Sequence, residues 1–175
     1  MLKIAILLIL LLVAVILIIA AMKPNTFRVQ RSIDISAPPE KVFALINDFR
    51  QWQGWSPWAK LDPAMKSNYT GSKAGQGAIY DWVGNKKVGE GRMEITASTP
   101  PAQIAIKLDF LKPFASSNTT LFTLEPVTGG TRVTWDMQGP ALFITKIMQV
   151  FMSMDKMIGK DFEAGLASMK ALAER

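Results

Sequence analysis

Glu90, Arg92 and Glu94 alternate along one short segment, and the strand-like stretch just before them supplies Tyr80 and Asp81. Residues two apart in a strand share a face. Two carboxylates bracketing a guanidinium have the makings of general acid/base chemistry. The plainer reading is that an alternating charged face is the wet side of an antiparallel sheet. What the sequence lacks bounds the chemistry further. It holds no Cys and no His, which excludes a thiolate nucleophile, a disulfide, a Ser-His-Asp triad and any Cys/His zinc or haem site. The run Gly84-Asn-Lys-Lys-Val-Gly-Glu-Gly91 lacks the Gly-Lys-Ser/Thr ending of a phosphate cradle and reads as a hairpin turn. No catalytic residue, metal ligand or cofactor is assigned on these grounds.

The elements that position these residues are mostly strands. Arg28–Ile35 alternates and runs into Ala37-Pro38-Pro39, a strand followed by a helix that tolerates proline in its first turn, with Ser36 as the expected N-cap. Val42, Phe43, Leu45 and Ile46 make that helix amphipathic. Further alternating segments lie near Ser67–Thr70, Ala78–Val83, Val88–Ala97, Gln103–Phe110, Thr119–Glu125 and Thr131–Met137. Gly84-Asn85, Pro100-Pro101, Lys112-Pro113 and Gly129-Gly130 punctuate them as the turns of an antiparallel meander. From Ala141 onward the chain has no proline. Apolar residues recur there at Phe143, Ile147, Phe151, Met154, Ile158, Phe162, Leu166 and Met169, which predicts one long terminal helix. Gly159 and Gly165 within it point to close approach of another backbone, or to a bend where the helix wraps the sheet.

This order of elements resembles the START-like helix-grip superfamily, also called SRPBCC, and its polyketide cyclase/dehydrase and lipid-transport branch. The likeness runs from about Phe27 to Ala173. It is carried by Arg31-Ser-Ile-Asp-Ile-Ser-Ala-Pro-Pro-Glu-Lys-Val-Phe43, Trp52-Gln-Gly-Trp-Ser-Pro-Trp58, Gly77-Ala-Ile-Tyr-Asp-Trp-Val-Gly84 and Thr131-Arg-Val-Thr-Trp135. The resemblance implies an α+β fold: a curved antiparallel sheet wrapped around a long C-terminal helix, with an apolar cavity between them. It does not imply a reaction, since one fold hosts carriers, sensors and enzymes.

If such a cavity exists, the inner sheet face supplies its candidate lining: Tyr80 and Trp82, Met93 and Ile95, then Ile106, Leu108 and Phe110, then Phe122, Trp135 and Met137. The helix would add Phe151, Met154, Ile158 and Phe162. Trp52, Trp55 and Trp58 fall three apart, so a helical loop would cluster them at a cavity mouth or a membrane interface. The same residues would serve equally as ordinary core.

Residues Ile4 to Met22 carry no charge or hydrogen-bonding side chain and are bracketed by Lys3 and Lys23. As a helix this run rises about 28 Å, close to the roughly 30 Å hydrocarbon core of a bilayer. A signal peptide has a shorter apolar core, of about 7 to 15 residues, and a small-x-small cleavage site, so the expectation is an uncleaved single-pass membrane anchor over residues 1–23. Residues 24–175 are then one START-like ligand-binding domain. The formal charge of +6 is dispersed, with Lys86-Lys87 its only local doublet. That pattern suits a solvated surface or anionic headgroups and argues against nucleic acid. The expected partners are the membrane, through Ile4 to Met22, and a hydrophobic small molecule or lipid. The expected function is a tethered, non-catalytic binding module. The alternatives are a cyclase or dehydratase, as the resemblance implies, which would use Tyr80, Asp81 or Arg92 to stabilise an enolate and move a proton, and an envelope interaction domain with a filled core.

Overall fold

The computed structural model describes residues 2–175; Met1, the first residue of the expected anchor, lies outside the described residues. Helix α1 (Leu2–Met22) is long and apolar enough to cross a membrane. Nearly all its side chains are exposed, Ala20 being the buried exception. After a short bend come β1 (Thr26–Ile35), α2 (Pro39–Asn47), a 3-10 turn over Phe49–Gly54, and α3 (Pro57–Leu61). Strands β2 (Lys66–Gly71), β3 (Ala78–Val83), β4 (Glu90–Thr99), β5 (Gln103–Lys112), β6 (Ser116–Val127) and β7 (Gly130–Pro140) follow. The chain closes with α4 (Phe143–Phe151) and α5 (Met154–Ala173).

The strands form one antiparallel seven-stranded sheet in the order β1-β7-β6-β5-β4-β3-β2. From β2 to β7 each strand pairs with the next, while β1 pairs with β7 and forms the opposite edge from β2. The fold is the expected α+β helix grip. Alternation places Tyr80, Trp82, Met93, Ile95, Phe122, Trp135 and Met137 on a buried face. Asp81, Arg92, Glu94 and Lys107 lie on the face that remains wetter. The registers Thr26↔Pro140, Phe110↔Ser116, Glu90↔Lys112 and Val83↔Glu90 bring several features to one end of the sheet. These are the exit of α1, the entry to α4, the β5–β6 hairpin and the β3–β4 turn.

Helix α5 covers the buried face through Phe162, Leu166 and Met169. Two ion pairs and a hydrogen bond tie it to the edge strand: Arg31 donates to Asp155 at 2.7 Å and to Glu163 at 2.6 Å, and Lys170 Nζ donates to the Asp34 backbone carbonyl at 2.7 Å. Gly159 permits this. A Cβ there would collide with the Arg31 guanidinium, so what approaches this glycine is a side chain and not the other backbone its presence suggests in the sequence. Gly165 likewise admits the Trp135 ring, whose Cζ3 would lie 3.0 Å from an added Cβ.

Two expectations are corrected. The terminal helix is not continuous: Met152 is extended, at φ −150° and ψ 129°, and Ser153 caps a new helix by accepting from Lys156 N at 3.3 Å. The apolar period carries across this break because α4 turns its apolar residues outward. Ser36 is not the cap of α2, whose N-cap is Pro38. Its amide instead donates to Glu174 Oε1 at 2.7 Å, binding the end of α5 to the end of β1.

Candidate ligand cavity

The aromatic loop is built by α2. The last carbonyls of a helix have no partner within it, and here indoles supply two: Trp52 Nε1 donates to the Ile46 carbonyl and Trp55 Nε1 to the Leu45 carbonyl, each at 2.9 Å. The two rings lie 4.5 Å apart. Trp55 is fully buried and packs edge-on against Phe122 and Trp135 at 6.1 and 5.6 Å. It belongs to the core beneath the loop and does not reach a mouth. Trp58, on α3, meets Trp135 and Phe162 edge-on at 5.8 and 6.3 Å.

Between this loop, the inner sheet face and α5 lies a cavity of about 190 Å³. From the sheet it is walled by Tyr80, Trp82, Met93, Leu108, Phe110, Trp135 and Met137, and from α5 by Ile158 and Phe162. Trp52 and Trp58 complete the aromatic part of the wall. Its buried base is formed by Trp52, Met93, Trp135 and Met137, whereas Val88, Phe110, Ile158 and Asp161 are half-buried and Lys87 is exposed. The cavity therefore reaches the surface beside the β3–β4 turn.

Five other candidates lie elsewhere. Ile95, Ile106 and Phe122 are fully buried on the same sheet face, where core side chains cover them. Met154 packs against the core from the start of α5. Phe151 points away from the domain, 73% exposed, because it sits on α4 before the helix break.

The wall also contains residues that the apolar pattern did not single out: Gln53, Ser56, Ala59, Met65, Lys87, Val88, Thr120 and Asp161. Thr120 was within reach of the sequence, since it shares the alternation of Phe122 and Leu124. Asp161 falls one turn after Ile158 and beside Phe162, at the margin of the apolar stripe. Burial pushes its carboxyl above the usual aspartate range. Burial also raises the Tyr80 phenol, which shares a 3.2 Å hydrogen bond with Ser67 Oγ. Of the three groups considered for enolate chemistry, only Tyr80 lines the cavity. Asp81 and Arg92 sit opposite each other on the other face and pair at 3.4 Å, while Glu90 pairs with Lys112 at 2.9 Å.

Trp82 reaches the wall because Gly91 lies beneath it. The indole occupies the space a Cβ at position 91 would take, and that Cβ would also come 2.6 Å from the Asp109 carbonyl.

Known proteins now bear on this geometry. The sequence profile described as polyketide cyclase / dehydrase and lipid transport matches residues 26–174. The chain belongs to this family. Among solved structures, protein CV1439 from Chromobacterium violaceum is 19% identical with a TM-score of 0.59, over 87% of this chain and 99% of that one. The Aha1 dimer of Colwellia psychrerythraea is 16% identical with a TM-score of 0.56, over 85% and 96%. The di-domain ARO/CYC BexL of the BE-7585A biosynthetic pathway is 14% identical with a TM-score of 0.61, over 90% of this chain and 53% of that one. At such identities these likenesses show the fold alone. No curated protein matches the sequence. The polyketide cyclase family match begins at the first residue of β1, so α1 precedes the part of the chain that the family defines.

Proposed function

We propose that residues 24–175 bind a hydrophobic small molecule or lipid in the cavity under α5, and that α1 anchors this domain in a bilayer as a single-pass helix. The observation that carries the reading is the wall itself. Tyr80, Trp82, Met93, Trp135, Met137 and Phe162 surround the space, while the charged residues of the same strands face the other way. Burying apolar surface is worth about 25 cal/mol per Å², and such a wall offers a ligand little else. At about 190 Å³ the space is smaller than the roughly 300 Å³ and more of drug-sized sites. It suits a small or slender apolar group whose remainder extends through the mouth. The tether supports the same reading, since it holds the cavity beside a reservoir of apolar ligand.

The test is saturable binding of a fluorescent acyl probe by the full chain in nanodiscs. Trp82→Ala should weaken it by about tenfold, roughly 1.4 kcal/mol, and Arg92→Ala should leave it unchanged. Absence of saturable binding by the unaltered chain overturns the proposal and favours an interaction domain that works through its surface.

A second reading rests on Asp161 and Tyr80, which bring a carboxyl and a phenol into the wall. A cyclase or dehydratase would use them to move a proton. It would lose turnover of a polyketide-like substrate in Asp161→Asn with probe binding retained.

A further inference from the structure

Helix α4 is amphipathic in the wrong sense for a water-soluble surface. Phe143, Ile144, Met148 and Phe151 fall within about 140° of its circumference, and all four are exposed. Its polar residues point inward. Lys146 is buried and donates to Asn25 Oδ1 at 2.5 Å, and Thr145 and Gln149 are half-buried. A helix facing water would show the reverse pattern.

The neighbour of α4 is α1. The two pack together, and along α1 it is Ile16 and Ala20 that lose exposure. The Ala141 amide, just before α4, donates to the Asn25 carbonyl at 2.7 Å, just after α1. From Ile16 to Lys23 is seven residues, about 10 Å of helix rise. That matches the roughly 5–10 Å by which an interfacial helix sinks its apolar face below the headgroups. Two more apolar side chains lie at the same end of the sheet: Leu111, 58% exposed, and Phe114, 55% exposed, on the β5–β6 hairpin. Lys86 and Lys87 on the neighbouring turn are exposed as well, suited to anionic headgroups.

We infer that α4 and the tip of the β5–β6 hairpin sink into the bilayer that holds α1, so that the domain lies with its cavity mouth against the lipid surface. The inference rests on reading α1 as a membrane span and adds an orientation to it. Lys87 and Val88, which border the mouth, sit on the β3–β4 turn at this end. A ligand leaving the acyl region would then enter the cavity without crossing bulk water. The occupant of the apolar face is lipid, because α4 continues a surface that begins on α1 and ends in the same plane.

The chain has no cysteine, so a single introduced thiol carries a unique label. The experiment places an environment-sensitive fluorophore on the full chain at Phe151→Cys, Phe114→Cys, Leu10→Cys or Ala171→Cys, in vesicles of phosphatidylcholine and phosphatidylglycerol. Lipids brominated near the headgroup or deep in the acyl chain serve as quenchers. The expected result is blue-shifted emission with shallow quenching at positions 151 and 114, deep quenching at position 10, and neither shift nor quenching at position 171. Water-like emission at 151 and 114 with deep quenching at 10 overturns the docking and leaves the anchor standing. Water-like emission at 10 overturns both. Equal quenching at 151 and 171 overturns the orientation.

Discussion

The indole of Trp135 on β7 lies flat against the phenyl ring of Phe162 on α5, their centroids 4.0 Å apart and their planes 9° from parallel. This stack joins the sheet to the helix that closes it, and both rings line the cavity. The contact that holds the fold shut is therefore also part of the candidate site.

Removing half of that stack should be costly. Phe162 is fully buried, so Phe162→Ala should lower stability by about 3 to 5 kcal/mol. Lys160→Ala, two residues away and exposed, should be nearly neutral. Chemical denaturation followed by tryptophan fluorescence separates the two; equal, small losses would mean that a different face of α5 meets the sheet.

Gly91 gives a finer test of how the wall is made. Gly91→Ala places a methyl group where the Trp82 indole lies, and overpacking of this kind typically costs about 1–3 kcal/mol. The displaced ring should also narrow the cavity, so probe affinity should fall along with stability. Stability and affinity both equal to those of the unaltered chain would show that the Trp82 indole does not depend on this glycine.

Asp161 should make the site respond to pH. Burial raises its carboxyl, so the folded state holds the proton to higher pH than the unfolded chain does. Its contribution therefore favours folding at low pH and is lost as pH rises from the unfolded aspartate value through the raised one. Binding of an uncharged apolar probe should follow the same sign, strengthening as pH falls and the Asp161 carboxyl becomes neutral. Asp161→Asn should flatten this part of both profiles and keep the affinity seen at low pH. A probe affinity in the unaltered chain that does not change across the aspartate range would contradict it.

The strands were legible because period-two alternation survives wherever one face is wet. Asp81 and Arg92 flank Trp82 and Met93 in that way, and the structure separates them onto opposite faces. Alternation assigns a face, but not what covers each part of it. Phe122, Ile95 and Ile106 share the face of Trp82 and Met137, yet they are sealed under core side chains, with Trp52 and Trp55 over Phe122. The break at Met152-Ser153 was hidden for a different reason. The apolar spacing from Phe143 to Met169 runs unbroken, because α4 and α5 each present an apolar stripe, one outward and one to the sheet. Sequence periodicity reports that a stripe exists and is silent about its solvent. Asp161 was missed because an acidic residue beside an apolar stripe ordinarily marks its wet border; its place in the cavity wall depends on how α3 and the β3–β4 turn approach α5.

Whether the cavity holds an apolar molecule decides whether this domain is a binding module. Mass spectrometry of small molecules extracted from the detergent-purified full chain decides this when Ala59→Trp is measured beside it, since that substitution fills the mouth-side wall from α3. The expected result is an apolar compound bound near one to one with the unaltered chain and largely lost from Ala59→Trp. No such compound, or equal amounts on both proteins, would contradict it.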